Sequence, residues 1–200
     1  MQSIANDLLD ETYSTSLAGT SKEFSESSGS LVFAFLLALI LVYLALSGQF
    51  ESFRDPFTIM LTVPLAIGGA ILALWLFGHT LNIFSQIGMI VLVGIVTKNG
   101  ILIVEFANQR RQDGLGIEAA AIDAAAQRFR PILMTSMATI LGAMPIALAL
   151  GGGSTSRIPM GVAIIGGLVF SLVLTLYVIP VLYTIITSKK DKTLLEDKTV

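Results

Sequence analysis

Long stretches of this chain carry no charged residue, and no other feature restricts the fold so tightly. Residues 27–50, 56–97, 131–156 and 158–188 are each free of Asp, Glu, Lys and Arg, and Leu31–Leu46 is apolar throughout. A helix needs roughly 20 mainly apolar residues to cross the hydrocarbon core of a bilayer. The run 56–97 is too long for one crossing, and Gly78-His79-Thr80-Leu81-Asn82 interrupts it with turn formers. The segment after Asn82 continues through Lys98 to Ala107. The pattern predicts an all-α integral membrane fold with five transmembrane helices, at about 30–48, 57–77, 83–107, 131–150 and 159–187. A membrane β-barrel would need alternating segments of about ten residues, which are absent.

Composition closes off the other classes. Only 13% of the residues are charged, and mean hydropathy is +0.82, against about 25% charged in a soluble domain. Six charges lie in residues 1–26 and seven in residues 189–200, leaving the interior nearly bare. A formal charge of −2 speaks against nucleic-acid binding. Zero Cys and one His exclude a disulfide scaffold, a thiolate metal site and a His-rich metal site.

Prolines and loop charges refine the layout. Pro56, Pro131 and Pro159 are expected at helix starts, where a missing N–H costs little. Pro64, Pro145 and Pro180 are expected inside spans, where neighbours satisfy the freed carbonyls. The loops on one membrane side carry Arg54, Arg110, Arg111, Arg128, Arg130, Lys189, Lys190 and Lys192, against Lys22 and Arg157 on the other. The positive-inside rule then puts the C-terminus in the cytoplasm and the N-terminus outside. Residues 1–29 read as the end of an external, periplasmic region, residues 30–187 as the bundle and residues 188–200 as a cytoplasmic tail. The acidic start has no basic stretch followed by an apolar one, so it is no signal peptide, and a longer protein cut within an external domain is the simpler expectation.

Between spans three and four, Leu115, Ala119, Ile122, Ala126 and Phe129 fall at helical spacing, with Arg110, Arg111, Glu118, Asp123 and Gln127 largely off that stripe. Residues 112–130 thus read as an amphipathic cytoplasmic connector helix. It lies either on the membrane surface or packed on the bundle. Gly88, Gly94, Gly100, Gly142, Gly161, Gly166 and Gly167 are expected to allow close helix approach, and Gly151-Gly152-Gly153-Ser154 to form a turn. The scattered Met residues and His79 read as packing and as a wet turn residue.

Lys98 is the residue that packing does not explain. It lies about fifteen residues into the third span, where a cation costs roughly 2.5–3.5 kcal/mol. It should face the bundle and pair with an acid. Glu105, seven residues on, lies about 10.5 Å along the axis and is expected to meet the loop arginines instead. Lys98 is therefore a candidate for ion or proton coupling, with a structural ion pair as the alternative. By spacing alone Thr97, Asn99, Thr135 and Ser136 read as interhelical hydrogen bonders, and Arg128 and Arg130 as positive-inside residues. No Ser–His pair and no Asp pair falls within a span, so nothing supports intramembrane proteolysis.

Three stretches resemble a known family. Ser47-Gly-Gln-Phe-Glu-Ser-Phe-Arg-Asp-Pro56 is similar to the cytoplasmic turn of the resistance–nodulation–division efflux transporters. Gly94-Ile-Val-Thr-Lys-Asn-Gly-Ile-Leu-Ile-Val-Glu-Phe-Ala107 is similar to their tenth transmembrane helix, and Arg128-Phe-Arg-Pro-Ile-Leu-Met-Thr-Ser136 to the start of their eleventh. The likeness runs from about Tyr13 to Thr187 and is closest to the hydrophobe/amphiphile branch. It implies a secondary active transporter of the bacterial inner membrane, driven by the proton motive force and needing no cofactor. It implies a homotrimer working with a periplasmic adaptor and an outer-membrane channel. In such a pump a lysine pairs with two aspartates on the equivalent helix of the first half. Lys98 matches that lysine, Thr135 and Arg128 match further relay positions, and Asn99 adjoins them. The aspartate pair and the substrate-binding regions are absent from this sequence. Two alternatives stay open: a non-transporting scaffold or remnant of such a pump, or a relative that exports lipids or metals.

Overall fold

The computed structural model describes residues 20–150 and 155–196, with side-chain surroundings from 29 to 150 and from 155 to 187. Among them there are only helices: α1 (Thr20–Phe50), α2 (Arg54–Met60), α3 (Thr62–Leu76), α4 (Ile83–Gln112), α5 (Ile117–Ala147) and α6 (Ile158–Glu196), with a short 3₁₀ turn at Thr155–Arg157 before α6. Five stretches are long and apolar enough to cross a membrane: Gly29–Phe50, Arg54–Leu76, Ile83–Gln112, Ile117–Ala147 and Thr155–Thr187. This is an all-α membrane protein with the five spans that the charge-free runs require. Most of the expected external region, the Gly151–Ser154 turn and the side chains of the tail from residue 188 lie outside the described residues.

The second span is two helices, not one. Pro64 has no N–H to offer the Met60 carbonyl, and the Thr62 hydroxyl donates to the Ile59 carbonyl at 2.6 Å. The Met60 carbonyl loses its helical donor beside this side-chain bond, and regular helix is interrupted at Leu61. Pro64 lies inside the Arg54–Leu76 span, as expected, and there falls in the first turn of α3. At Pro131 the opposite happens. The sequence reading placed a helix start there, after a separate connector, yet α5 runs unbroken from Ile117 to Ala147. Only the Gln127 carbonyl loses a donor, and Ala120, Ala121 and Ala124 bury the connector half against the bundle. Of the two placements considered for that half, the structure shows the packed one. Its apolar stripe nonetheless faces out, with Ile122 62% exposed.

Helix ends are fixed by local chemistry. Asn82 caps α4: its Oδ1 accepts from Ser85 N at 2.8 Å, and Ser85 Oγ accepts from Asn82 N at 2.9 Å, a reciprocal pair that satisfies two otherwise orphaned donors. The end of α4 is closed by Gly114 at φ +95°, with Gly114 N donating to Arg111 O and Leu115 N to Arg110 O. Ala149 closes α5 in the same manner at φ +53°.

α6 is the central helix, packed against α3, α4 and α5. At its crossing with α3, a Cβ on Gly166 would lie 2.1 Å from Ala73 Cβ, so only glycine allows that approach. Gly167 and Gly161 are similarly closed in, whereas Gly94 and Gly142 have nothing within 4 Å and set no helix contact. The buried apolar residues form two clusters. One, around Ile59, Ile103, Ile132, Ile179 and Tyr183, lies toward the arginine-rich end. The other, around Ala66, Ala70, Leu92, Val96, Ala163 and Leu168, lies toward the opposite end. α1 packs mainly on α2 and α4, with 6% of its span buried.

Candidate functional site

α4 positions the candidate residues through its periodicity. Lys98 is exposed, on a stripe of α4 with Val91, Gly94 and Glu105 that no described helix covers. One residue on, a rotation of about 100°, Asn99 is 3% exposed and turned into the bundle. Its Nδ2 donates to Ser136 Oγ on α5 at 3.2 Å. This bond holds α4 and α5 together at the level of Lys98 and of Thr135, the sequence neighbours of the two bonded residues. Thr135 is half-buried, and its hydroxyl donates to the Ile132 carbonyl of its own helix at 3.2 Å. Thr97 likewise bonds within α4, to Val93 O at 2.9 Å.

Arg128 lies farther toward the arginine-rich end. Its guanidinium stacks over the Phe106 ring at 4.5 Å, and Arg110 approaches the same ring at 4.9 Å. Two cations share one aromatic platform, each attracted by the ring's negative face. Their mutual repulsion is offset by Asp123, whose Oδ2 lies 2.7 Å from Arg110 Nε and which also accepts from Gln127. The Arg128 Nε is buried and donates to no described residue.

The structure therefore separates the four candidates. Asn99 and Thr135 are drawn to one level by the α4–α5 bond, Arg128 is held over Phe106, and Lys98 points away from the bundle. Among the described residues no hydrogen bond or ion pair joins Lys98 to any of them. Lys98 was expected to face the bundle. It does not face the described helices, because the side of α4 toward them is filled by Val96, Asn99, Gly100 and Ile103. Glu105 was expected to meet the loop arginines. It does not, because Arg110 pairs with Asp113 and Asp123 and Arg128 with the Phe106 ring.

Sequence reasoning missed a second polar group. Tyr183 of α6, 1% exposed, donates its hydroxyl to Asn108 Oδ1 at 2.5 Å, and Asn108 Nδ2 donates to Asp55 Oδ2 at 3.1 Å. The chain of bonds ties α2, α4 and α6 together beside a pocket of about 470 Å³ that Arg54, Asp55, Asn108 and Arg111 help to line. Asn108 lies nine residues beyond Asn99, 2.5 turns along the helix. No spacing rule links it to Tyr183 or Asp55, and only the fold brings the three together.

Residues 1–187 match the AcrB/AcrD/AcrF family. The chain belongs to that family. The match covers every described spanning helix and each of the four candidate residues. The chain is 44% identical over 169 residues to the multidrug resistance protein MdtC of Erwinia amylovora, covering 84% of this chain and 16% of that protein. It is equally identical over the same length to MdtC of Escherichia coli. An uncharacterized transporter of Haemophilus influenzae is 39% identical over 196 residues, covering 94% of this chain and 19% of its own length. The chain thus spans less than a fifth of the curated relatives it matches, and belongs with the resistance–nodulation–division transporters rather than with an enzyme family.

Proposed function

We propose that this chain forms part of a proton-driven drug/proton antiporter of the bacterial inner membrane and supplies the lysine side of its proton relay. The observation that carries this reading is Lys98: a cation midway along a spanning helix, on an outward face, with no partner among the described residues. A free ammonium there is costly, so the neighbour that covers this face must present acid. In the relay implied by the family likeness, Lys98 pairs with ionised aspartates of another helix. Protonation of those acids cancels the attraction and frees the ammonium to move toward Thr135. Two discrete side-chain arrangements then bias helix positions, and these bias alternating access in the rest of the pump. The Asn99–Ser136 bond and the Arg128–Phe106 stack support this reading because they hold the surrounding helices while Lys98 moves.

The same reading gives export of amphiphilic compounds, a homotrimer, a periplasmic adaptor with an outer-membrane channel, and a cytoplasmic C-terminus. Substitution of Lys98 by Met in the full-length pump removes the charge while keeping an unbranched apolar stem. The expected result is loss of drug efflux from cells, with trimer assembly in detergent unchanged. Normal efflux by the variant would refute the relay.

A further inference from the structure

We propose that Glu105 carries the proton from the Lys98 site to the arginine-rich, cytoplasmic end of the helix; this rests on the relay reading above. Within the expected third span, residues 83–107, Lys98 and Glu105 are the sole charged residues. They are seven residues apart, hence on one face of α4 and separated by about 10.5 Å along it. Both are exposed, on the stripe that no described helix covers.

Among the described residues the carboxylate has no hydrogen bond or ion pair, although cations are near in sequence. Arg110, on the same helix, is drawn to Asp113 and Asp123. Arg128, on α5, is drawn to the Phe106 ring, and Arg130 makes no bond to Glu105. On α2, Asp55 is bonded to Asn108 and Arg54 lines the pocket on that side. α1 from Gly29, α3, and α6 as far as Thr187 contribute no charge. Glu105 is thus presented to whatever element covers Lys98.

A carboxyl at that depth, about 33 Å from the start of α4, stands where the hydrocarbon core ends. It can take a proton from the dry interior and release it to bulk water. The step makes and breaks only O–H bonds. A water-borne proton adds to the carboxylate and leaves from the carboxylic acid, and the 10.5 Å gap requires at least one bridging water.

The test uses the full-length pump in proteoliposomes, with transport measured against internal pH. Glu105→Gln should lower the maximal transport rate at least tenfold, with the KM for a transported dye and the trimer unchanged. Glu105→His keeps a proton-carrying side chain but exchanges a carboxylate for an imidazole, whose ordinary pKa is the higher of the two, and should move the internal-pH profile upward. It gives the answer where the Gln variant does not accumulate. Lys98→Met inactive, with Glu105→Gln and Glu105→His both behaving as the parent, would overturn this inference alone. Normal transport by Lys98→Met would overturn the relay itself.

Discussion

Lys98 and Asn99 are adjacent in sequence and opposite in fate, because one step along a helix turns a side chain through about 100°. The importance of Lys98 is legible from the sequence, since an isolated cation in a charge-free run is costly wherever it points. Its direction is not legible. α4 is apolar on most faces, so no polar stripe marks its outer side, and the inward position goes to Asn99, which finds Ser136. Thr135 and Ser136 are equally plausible partners by spacing, and only the registry of α4 against α5 chooses between them. Intramembrane hydrogen bonds of this kind are typically worth about 0.6 kcal/mol and at most about 1.7. A double-mutant cycle with Asn99→Ala and Ser136→Ala, read as unfolding free energy in mixed micelles, should give a coupling in that range. The cycle with Thr135→Ala in place of Ser136→Ala should give a coupling near zero. Equal couplings in the two cycles would contradict the observed registry.

At the scale of elements, prolines show what a sequence rule can and cannot decide. Pro64 and Pro131 each remove one helical hydrogen bond, yet the chain breaks near the first and runs through the second. Near the first, the Thr62 hydroxyl bonds the Ile59 carbonyl next to the one that Pro64 leaves empty; before the second, Ala120, Ala121 and Ala124 pack the helix on the bundle and hold it straight through. The reading of residues 112–130 as a separate connector failed on this point, whereas its amphipathic pattern survives in the outward Ile122 and the inward alanines. The small residues were legible as a class, but the particular seam was not. Gly166 sits against Ala73, while Gly94 and Gly142 face open space. Gly166→Ala places a methyl 2.1 Å from Ala73 Cβ and must push α3 and α6 apart, costing about 1–3 kcal/mol. Adding Ala73→Gly removes the opposing methyl and should restore most of the loss. Gly142→Ala, with nothing within 4 Å, should not destabilise and serves as the control. Thermal unfolding in detergent measures all three.

At the scale of the whole molecule, the described helices enclose a core around α6 and leave outward faces on every spanning helix, among them two of opposite character: nearly all of α1 and the Lys98–Glu105 stripe of α4. An apolar uncovered surface is ordinary for a helix facing lipid, and α1 needs nothing more. A surface bearing an ammonium and a carboxylate is not ordinary in lipid, so these two surfaces have different neighbours. This distinction also constrains orientation. Arg54 at the start of α2, Arg110 and Arg111 at the end of α4, and Arg128 and Arg130 in the connector half of α5 gather at one end of the bundle, and Arg157 stands at the other. If the positive-inside rule governs the chain, the turn holding Asp113 and Gly114 faces the cytoplasm and the turn holding Gly78 and His79 faces the periplasm. The sequence contains no Cys, so single cysteines report position without background from this chain. In the full-length protein with any other cysteines replaced, His79→Cys should react with a membrane-impermeant maleimide added to cells whose outer membrane is permeabilised. Asp113→Cys should react only after the inner membrane is opened. The reverse pattern would invert the bundle, put Glu105 on the periplasmic side of Lys98, and make it an entry residue for protons instead of an exit.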